Sequence, residues 1–266
     1  MEKGVVIIAM RKPHYACAAF NLALSIKHYS PNIHITLVSD GVHNKAFQIN
    51  EFSRFDFIKE LKETSVAEAK LNVHKYVDYK QTLYLDADSL CLKDINPLFD
   101  KLSGEKFKSN QIDNYTQWTS EEAFKKFFKL DFGVTINSSY IYFENGKVFD
   151  QANKYFKKGF DKLDLTENWG GHLPDEMFFN AALTKLDINP KTDFDVMYLD
   201  DKKREISFSK LVEDYYFITY YGNRQNTRLE YQEYYDKCMF RMCDKLGIEH
   251  KFKLGDIMAH KLITEK

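Results

Sequence analysis

The sequence contains no apolar run that is long enough to cross a membrane, and no cleavage pattern of a secretory signal. The apolar run at the amino terminus spans only Gly4 to Met10, whereas a membrane-spanning helix needs about 20 apolar residues. The four cysteines form no Cys-x-x-Cys pair. Cys17 and Cys91 lie in apolar runs, as buried free thiols do in a reducing compartment. We therefore expect a cytoplasmic protein without a membrane partner, in a cell's own cytoplasm or in that of an infected host.

The chain also lacks an excess of charge of either sign. Its 38 basic and 39 acidic side chains leave a formal net charge of −1, so there is no global electrostatic footprint for nucleic acid. No internal repeat, low-complexity segment or clear linker is present. With 266 residues, 44% of them hydrophobic, and with 22 Phe and 17 Tyr, the composition is typical of a packed globular protein.

The apolar segments at the start of the chain predict a β-α-β unit. Val5 to Met10 is a continuous apolar run, as in a strand that is buried on both faces of a parallel sheet. Ala16 to Tyr29 has the apolar spacing of a helix, and Ile33 to Val38 predicts the second strand. No G-x-G-x-x-G follows the first strand, which argues against a dinucleotide-binding Rossmann site. We expect ligands at the carboxyl ends of these strands.

The same patterns predict the remaining elements. Two strand pieces, Val134 to Ile136 and Tyr140 to Phe143, flank a polar turn at Asn137-Ser138-Ser139, and Asp100 to Asn114 is predicted as a surface excursion. A strand from Phe217 to Tyr221 ends at Gly222. The predicted helices run from Thr64 or Ser65 to about Tyr76, Glu121 to Leu130, Gly146 to Phe160, Asp175 to Leu186 and Glu230 to Leu246.

The stretch from Lys80 to Phe99 organises the rest of the chain. An apolar strand there leads to Asp86 and Asp88, which share one face if the chain stays extended. Two like charges at the end of a buried strand are costly unless a cation lies between them, and Mg²⁺ and Mn²⁺ prefer carboxylate oxygens and often bridge to phosphates. The alternative is a strand that is followed by an acidic turn without a ligand.

With these segments in place, the chain resembles the glycogenin-like glycosyltransferases of the GT-A fold from Val5 to Asn223. The resemblance is densest from Ala69 to Phe99, where a Lys-Leu pair in a helix precedes, at the family's spacing, an apolar strand, D-x-D and an apolar continuation. Ile136 to Phe143 resembles the family's Asn-Ser turn and the strand after it. Pro174 to Asn180 resembles its Asp-Gln helix start, with Glu176 in place of the Gln.

The sequence departs from the family after its last predicted strand. There the family has a metal-ligating His, then a Gly, then Lys-Pro-Trp. Gly222 is kept, but Thr219 stands where the His is expected, and 225–227 replace Lys-Pro-Trp. His260 is a candidate for the third ligand, although a late His is also typical of a plain surface residue. In the family, the lysine of Lys-Pro-Trp contacts the donor diphosphate. The candidates for supplying this positive charge here are Arg224, Arg228 and Lys261.

The resemblance implies an α/β fold: a GT-A type single domain with a Rossmann-like, mostly parallel mixed sheet flanked by helices. It places the core in residues 1–223 and a helical carboxyl-terminal extension, packed on the core, in residues 224–266. The implied activity is metal-dependent transfer of a hexosyl or pentosyl group from a nucleotide-sugar, most simply a UDP-sugar, with retention at the anomeric carbon. The implied cofactor is Mn²⁺ or Mg²⁺, which would neutralise the diphosphate as it leaves.

The resemblance also assigns roles to individual residues. Asp88 would ligate the cation directly, while Asp86 would face the ribose or act through water. Lys70 would add positive charge near the donor; its alternative is an exposed helix lysine. The expected catalytic or sugar-positioning residues are Asp175, Glu176 and Asn137, although Asp175 could instead complement a helix dipole and Asn137 could be a turn residue. The expected donor contacts are Ala9, Met10, Tyr15, Lys70, Asp86, Ala87 and Gly222, and the expected metal ligands are Asp86, Asp88 and His260.

Two other functions stay open on the sequence. A nucleotidyltransferase on a similar fold also uses a metal and a diphosphate, but Arg11-Lys12-Pro13 is a poor match for its glycine-rich basic loop. A catalytically degenerate sugar-binding protein is consistent with the missing His and Lys-Pro-Trp. The acceptor could be a saccharide, a protein side chain or a modified DNA base, and the Tyr-rich stretch from Tyr231 to Tyr235 could form a homo-oligomer interface or shape the acceptor side.

Overall fold

The structure, a computed structural model, describes residues 1–46, 53–111, 120–158, 174–198, 207–219 and 229–257. The strands are β1 Lys3–Ala9, β2 His34–Ser39, β3 Phe57–Glu60, β4 Gln81–Leu85, β5 Ser89–Cys91, β6 Phe107–Gln111, β7 Ile136–Phe143, β8 Lys191–Thr192, β9 Val196–Tyr198 and β10 Phe217–Thr219. The helices are α1 Pro13–Tyr29, α2 His43–Ala46, α3 Val66–Asn72, α4 Asn96–Leu102, α5 Glu121–Phe128, α6 Lys147–Phe156, α7 Glu176–Leu186, α8 Phe208–Asp214 and α9 Leu229–Leu246.

The strands form a large and a small sheet. The order in the seven-stranded sheet is β3-β2-β1-β4-β7-β6-β8. Its mostly parallel character is interrupted by β6, which runs antiparallel to β7 and parallel to β8. In the three-stranded sheet β10 lies between β5 and β9, antiparallel to β5 and parallel to β9. Helices flank the large sheet, so the predicted mixed α/β architecture is confirmed.

The chain forms two compact units. The first unit comprises Met1–Val6, Leu61–Tyr84 and Leu102–Asp193. Its core is aromatic: the rings of Phe107, Phe149 and Phe179 lie with their centroids 5.3 to 6.0 Å apart, near the edge-to-face spacing that aromatic pairs prefer. Helices α6 and α7 pack against each other in this unit.

The second unit comprises Ile7–Glu60, Leu85–Lys101 and Phe194–Lys266. Buried polar side chains hold its elements together. Asn21 on α1 donates to the hydroxyl of Tyr235 on α9 at 3.0 Å and to the carbonyl of Phe252 at 2.6 Å. Ser25 accepts the backbone N–H of Cys91 in β5 at 3.0 Å. Within the described residues, no helix has both the length and the apolar character of a membrane span.

Several predicted boundaries were wrong. Helix α1 begins at Pro13 rather than Ala16. The fixed φ of proline suits the first helical turn, and proline loses no hydrogen bond there because the N–H groups of that turn have no partner within the helix. The predicted surface excursion at Asp100 to Asn114 contains the end of α4 and all of β6. Phe107 in β6 is only 1% exposed, since pairing with β7 and β8 outweighs the polar composition of the segment.

The predicted polar turn at Asn137-Ser138-Ser139 is also wrong, because β7 runs through it without interruption. The register shift lies at this place: Ser109 pairs with Ile141, whereas Asn110 pairs with Asn137. The extra residues of β7 form a bulge, which is a common way to place polar side chains inside a strand. The predicted loop at 169–173, the end of the Phe217 to Tyr221 strand and the domain boundary after residue 223 lie outside the described residues, and they stay predictions.

Candidate functional site

A buried lysine lies at the centre of the first group of site residues, which belongs to the first unit. Lys70 is on α3, whose first turn is capped by Ser65 accepting the N–H of Glu68 at 3.1 Å. Lys70 is 9% exposed, so the exposed-lysine alternative is wrong. Its Nζ donates to Ser138 Oγ at 3.3 Å and lies 3.9 Å from Asp175 Oδ1. A buried ammonium needs such partners, because desolvation is otherwise too costly.

Asp175 and Glu176 bring two carboxyl groups to the same place, at the start of α7. Asp175 is 6% exposed, and its side chain makes no capping hydrogen bond to the helix. Ser138 Oγ donates to Glu176 Oε1 at 2.9 Å. One hydroxyl group therefore connects the ammonium of Lys70 to the carboxyl group of Glu176. Lys70, Ser138 and Asp175 are buried and Glu176 is half-buried; we refer to these four residues as the buried cluster.

Glu176 titrates near neutral pH. Burial raises the pKa of its carboxyl group to about 7, and the adjacent charge of Asp175 acts in the same direction, while Lys70 and the hydrogen bond from Ser138 lower that pKa. A proton on Glu176 removes the repulsion between its carboxylate and that of Asp175. A group with a pKa near the working pH can accept and donate protons efficiently.

Two asparagines fix the elements around the buried cluster. Asn137 Oδ1 accepts the N–H of Ser139 at 2.9 Å within the bulge of β7. Asn180 Oδ1 accepts the N–H of Ile136 at 3.0 Å, which ties α7 to the start of β7. The sequence pattern predicts a role for Asn137 but none for Ser138. In a strand, Ile136, Ser138 and Tyr140 share one face, so predicting a strand rather than a turn would have placed Ser138 on the same face as two large side chains.

The D-x-D residues form a second group, which belongs to the second unit. Asp86, Ala87 and Asp88 connect β4 to β5, and the chain turns at Ala87 and Asp88 instead of staying extended. Both carboxylates are half-buried, and Ala87 is 6% exposed. Thr219, at the end of β10, pairs with Ser89 of β5. Its hydroxyl donates to the carbonyl of Asp88 at 3.2 Å and lies 3.4 Å from Asp88 Oδ1.

The residues that we expect to contact a base lie at the end of β1, in the loop after it and in the first turn of α1. Ala9 and Met10 are buried and Tyr15 is 36% exposed, so a ligand would meet the main chain of the first two and the ring of the third. Arg11 has the left-handed φ of 70°, which costs about 1 kcal/mol or more outside glycine. The carboxylate of Asp40, just after β2, accepts the N–H of Arg11 at 2.7 Å and holds this conformation.

Solved structures share this architecture. The galactosyltransferase LgtC, in complex with donor and acceptor sugar analogs, matches 91% of this chain and 95% of its own with a TM-score of 0.56 at 14% identity. Mouse xyloside xylosyltransferase 1, in its apo form, matches 84% of this chain and 99% of its own with a TM-score of 0.52 at 12% identity. The glycosyltransferase GlyE of Streptococcus pneumoniae TIGR4 matches 92% of this chain and 64% of its own with a TM-score of 0.55 at 14% identity. The chain has the GT-A glycosyltransferase fold.

The sequence alone matches neither a family model nor a curated protein. At identities of 12 to 14%, likeness to the solved structures establishes the GT-A fold but assigns no residue a role. Roles in this GT-A chain must therefore be argued from the geometry of its own residues.

The donor set at the D-x-D turn suits a hard divalent cation. Asp86 and Asp88 supply carboxylate oxygens, and Thr219 adds a neutral hydroxyl beside Asp88. In the described ranges, no group of three or more His, Cys, Asp or Glu side chains could hold a metal ion. Mg²⁺ and Mn²⁺ fit such a site, since Mg²⁺ is commonly bound by one or two carboxylates together with water and substrate phosphates. Gly222 and His260 lie outside the described residues.

Proposed function

We propose that this chain is a metal-dependent glycosyltransferase, which moves a sugar from a UDP-sugar to an acceptor with retention at the anomeric carbon. The observation that carries the proposal is the D-x-D turn: two half-buried carboxylates, one residue apart, between β4 and β5 of a chain with the GT-A fold. Carboxylate oxygens at this turn are the ligands that Mg²⁺ and Mn²⁺ prefer.

In this proposal Asp86 and Asp88 hold Mn²⁺ or Mg²⁺, with Asp88 as the direct ligand. A cation held there would supply positive charge for the diphosphate group that leaves as the glycosidic bond breaks. The main chain at Ala9, Met10 and Ala87 contacts the nucleotide, and the exposed ring of Tyr15 stacks on the base.

The buried cluster acts on the sugar. Lys70 binds sugar hydroxyl or phosphate oxygens, Asp175 stabilises positive charge at the anomeric carbon, and Asn137 positions a hydroxyl group. Glu176, whose pKa is about 7, exchanges a proton with a reacting or bound hydroxyl group. Among the three acceptor classes that the sequence leaves open, a saccharide is favoured, because LgtC was seen with an acceptor sugar analog.

Nucleotide binding with and without Mn²⁺ tests this proposal. Thermal shifts are measured for UDP, GDP, CDP and UDP-sugars. A ligand that binds only the native state at about 100 times its Kd adds about 2.7 kcal/mol of stability. We expect a shift with UDP compounds that requires Mn²⁺ and that is lost in Asp88→Asn.

Asp187→Asn is the matched control. Asp187 is an exposed residue in the left-handed conformation after α7, where asparagine is well tolerated, so this variant should keep the full nucleotide shift. If no nucleotide shifts the wild-type protein with or without Mn²⁺, the proposed donor site is wrong. A shift that survives in Asp88→Asn would refute the role given to Asp88.

A second candidate function is binding of a sugar nucleotide without transfer. Thr219 favours it, because a neutral hydroxyl lies beside Asp88 where the resemblance expects an imidazole ligand. The two functions differ in turnover. UDP release from a UDP-sugar, in the presence of saccharide acceptors and Mn²⁺, supports transfer, whereas Mn²⁺-dependent binding without UDP release supports the second candidate.

A further inference from the structure

A cavity in the second unit lies outside both groups of candidate site residues. Its volume is about 270 Å³. Helices α1, α8 and α9 and strand β5 form its walls. The lining residues are Ser25, Tyr29, Leu90, Cys91, Leu92, Val212, Cys238, Met239, Arg241, Met242 and Lys245. We refer to it as the α9 cavity.

Part of the wall of the α9 cavity is apolar. Leu90, Leu92, Met239 and Met242 are each at most 4% exposed, so these side chains form part of the packed core. Val212 on α8 is half-buried and adds a further apolar surface. Methionine adapts its shape to different ligands more readily than branched side chains do. Such walls suit a hydrocarbon chain.

Two positively charged residues line the α9 cavity. Arg241 and Lys245 are exposed on α9, and their separation of four residues places them on the same face of the helix. Among the residues that the structure describes, no acidic side chain lines the cavity. Burial lowers the pKa of His28, and the positive charge of Lys245 lowers it further. This effect is expected where the local electrostatic potential is positive.

The remaining polar groups of the α9 cavity are neutral at physiological pH. Burial raises the pKa of the Cys91 and Cys238 thiols to about 12, and burial also raises the pKa of the Tyr29 phenol. These groups therefore add no negative charge that would oppose an anion. The hydroxyl of Ser25 is already engaged with the N–H of Cys91 and the carbonyl of Leu22.

We propose that the α9 cavity binds a small amphipathic anion, with a short alkyl chain against the leucine and methionine walls and a carboxylate or phosphate group at Arg241 and Lys245. The volume of about 270 Å³ is below the range of about 300–1,000 Å³ that is typical of drug-sized ligands, so the chain must be short. The bound chain would contact Leu90 and Cys91 of β5, the strand that directly follows Asp88. This proposal does not depend on sugar transfer.

Calorimetric titration of the whole protein with matched eight-carbon probes tests the head group. The probes are octanoate, octyl phosphate, octanol and octylamine. We expect octanoate or octyl phosphate to bind at least about tenfold more tightly than octanol, a ratio equivalent to about 1.4 kcal/mol, and octylamine to bind most weakly. Comparison of octanoate with octyl phosphate then shows whether the site prefers a carboxylate or a phosphate head group. Equal binding of octanol, or no binding of any probe, would overturn the proposal.

Charge reversal on α9 locates the site. In the double variant Arg241→Glu with Lys245→Glu, both changes are at exposed positions, and we expect anion binding to fall by about tenfold or more while octylamine binding rises. Lys237→Glu is the control, because Lys237 is exposed on the same helix but does not line the α9 cavity. Val212→Trp fills the cavity from a half-buried position and should abolish binding of every probe. Equal losses in Lys237→Glu, or full binding in Val212→Trp, would refute the assignment to this cavity.

Discussion

At the scale of single residues, the buried cluster brings charged groups of both signs together away from bulk water. Lys70 brings one positive charge, and Asp175 and Glu176 together bring up to two negative charges. Desolvation makes buried ions expensive even when they are paired. The cluster therefore favours a proton on Glu176, and Ser138 connects that carboxyl group to the ammonium. This link is the part of the candidate site that is best defined by direct contacts.

The raised pKa of Glu176 predicts a pH dependence of stability. The folded pKa of about 7 lies above the ordinary value of 4.5, so between these values the native state holds a proton that the unfolded state has lost. The free energy of unfolding should therefore fall as pH rises from about 4.5 to about 7, and this loss should level off above pH 7. Urea unfolding at several pH values should show that Glu176→Gln lacks this loss and exceeds the wild type in stability at pH 8 but not at pH 4.

Glu249→Gln serves as the comparison for this prediction. Glu249 is exposed in the segment after α9, and its replacement should leave the pH profile of stability unchanged. If Glu176→Gln keeps the wild-type profile, the carboxyl group of Glu176 is ionised throughout the neutral range, and its proposed part in proton exchange is wrong.

At the scale of secondary structure, the bulge in β7 positions the buried cluster. Ser109 on the neighbouring strand β6 is fully buried, and its hydroxyl approaches the carbonyls of Asn137 at 2.7 Å and Tyr140 at 2.9 Å. These two carbonyls flank Ser138. A bulge leaves backbone groups without ladder partners, and the Ser109 side chain replaces those partners.

Removing that hydroxyl should weaken the bulge. We expect Ser109→Ala to lower the free energy of unfolding by about 1–3 kcal/mol, since two buried carbonyls lose a donor. Ser139→Ala is the control within the same bulge, because Ser139 is only half-buried, and its effect should stay below about 0.5 kcal/mol. Urea denaturation measures both variants. Equal effects of the two substitutions would show that the Ser109 hydroxyl does not stabilise the bulge.

At the scale of the whole molecule, no disulfide cross-links the chain. Cys17, Cys91, Cys238 and Cys243 are all free thiols. Burial raises the pKa of Cys91 and Cys238 to about 12, and it also raises the pKa of Cys243. Because the thiolate is the reactive form, these side chains should behave as small apolar groups. Packing within each unit stabilises the fold without a covalent cross-link.

The unfolding midpoint should therefore be the same with and without a reducing agent. Titration with a thiol reagent should detect all four cysteines in urea without prior reduction, and the native protein should react slowly. A midpoint that falls on reduction, or fewer than four thiols in urea, would contradict the assignment of free thiols.

Local patterns determined most of the elements. The continuous apolar run that forms β1, the periodic spacing that forms α1 and α9, and the capping serine before α3 were all readable because each depends on neighbouring residues. Strands β6 and β8 were not predicted. The two-residue β8 and the polar β6 form through pairing with strands that are distant in the sequence, and local preference carries little of that information.

The sequence by itself determined the α/β class, the position of the D-x-D carboxylates after a buried strand, and the absence of a histidine at position 219. Only the tertiary structure decided that Lys70 is buried, that Ser138 joins it to Glu176, and that Thr219 lies against Asp88. The physical reason is the range of the interactions. Strand and helix preferences act between near neighbours, whereas burial and the pKa shift of Glu176 arise when segments that are far apart in the sequence exclude water together.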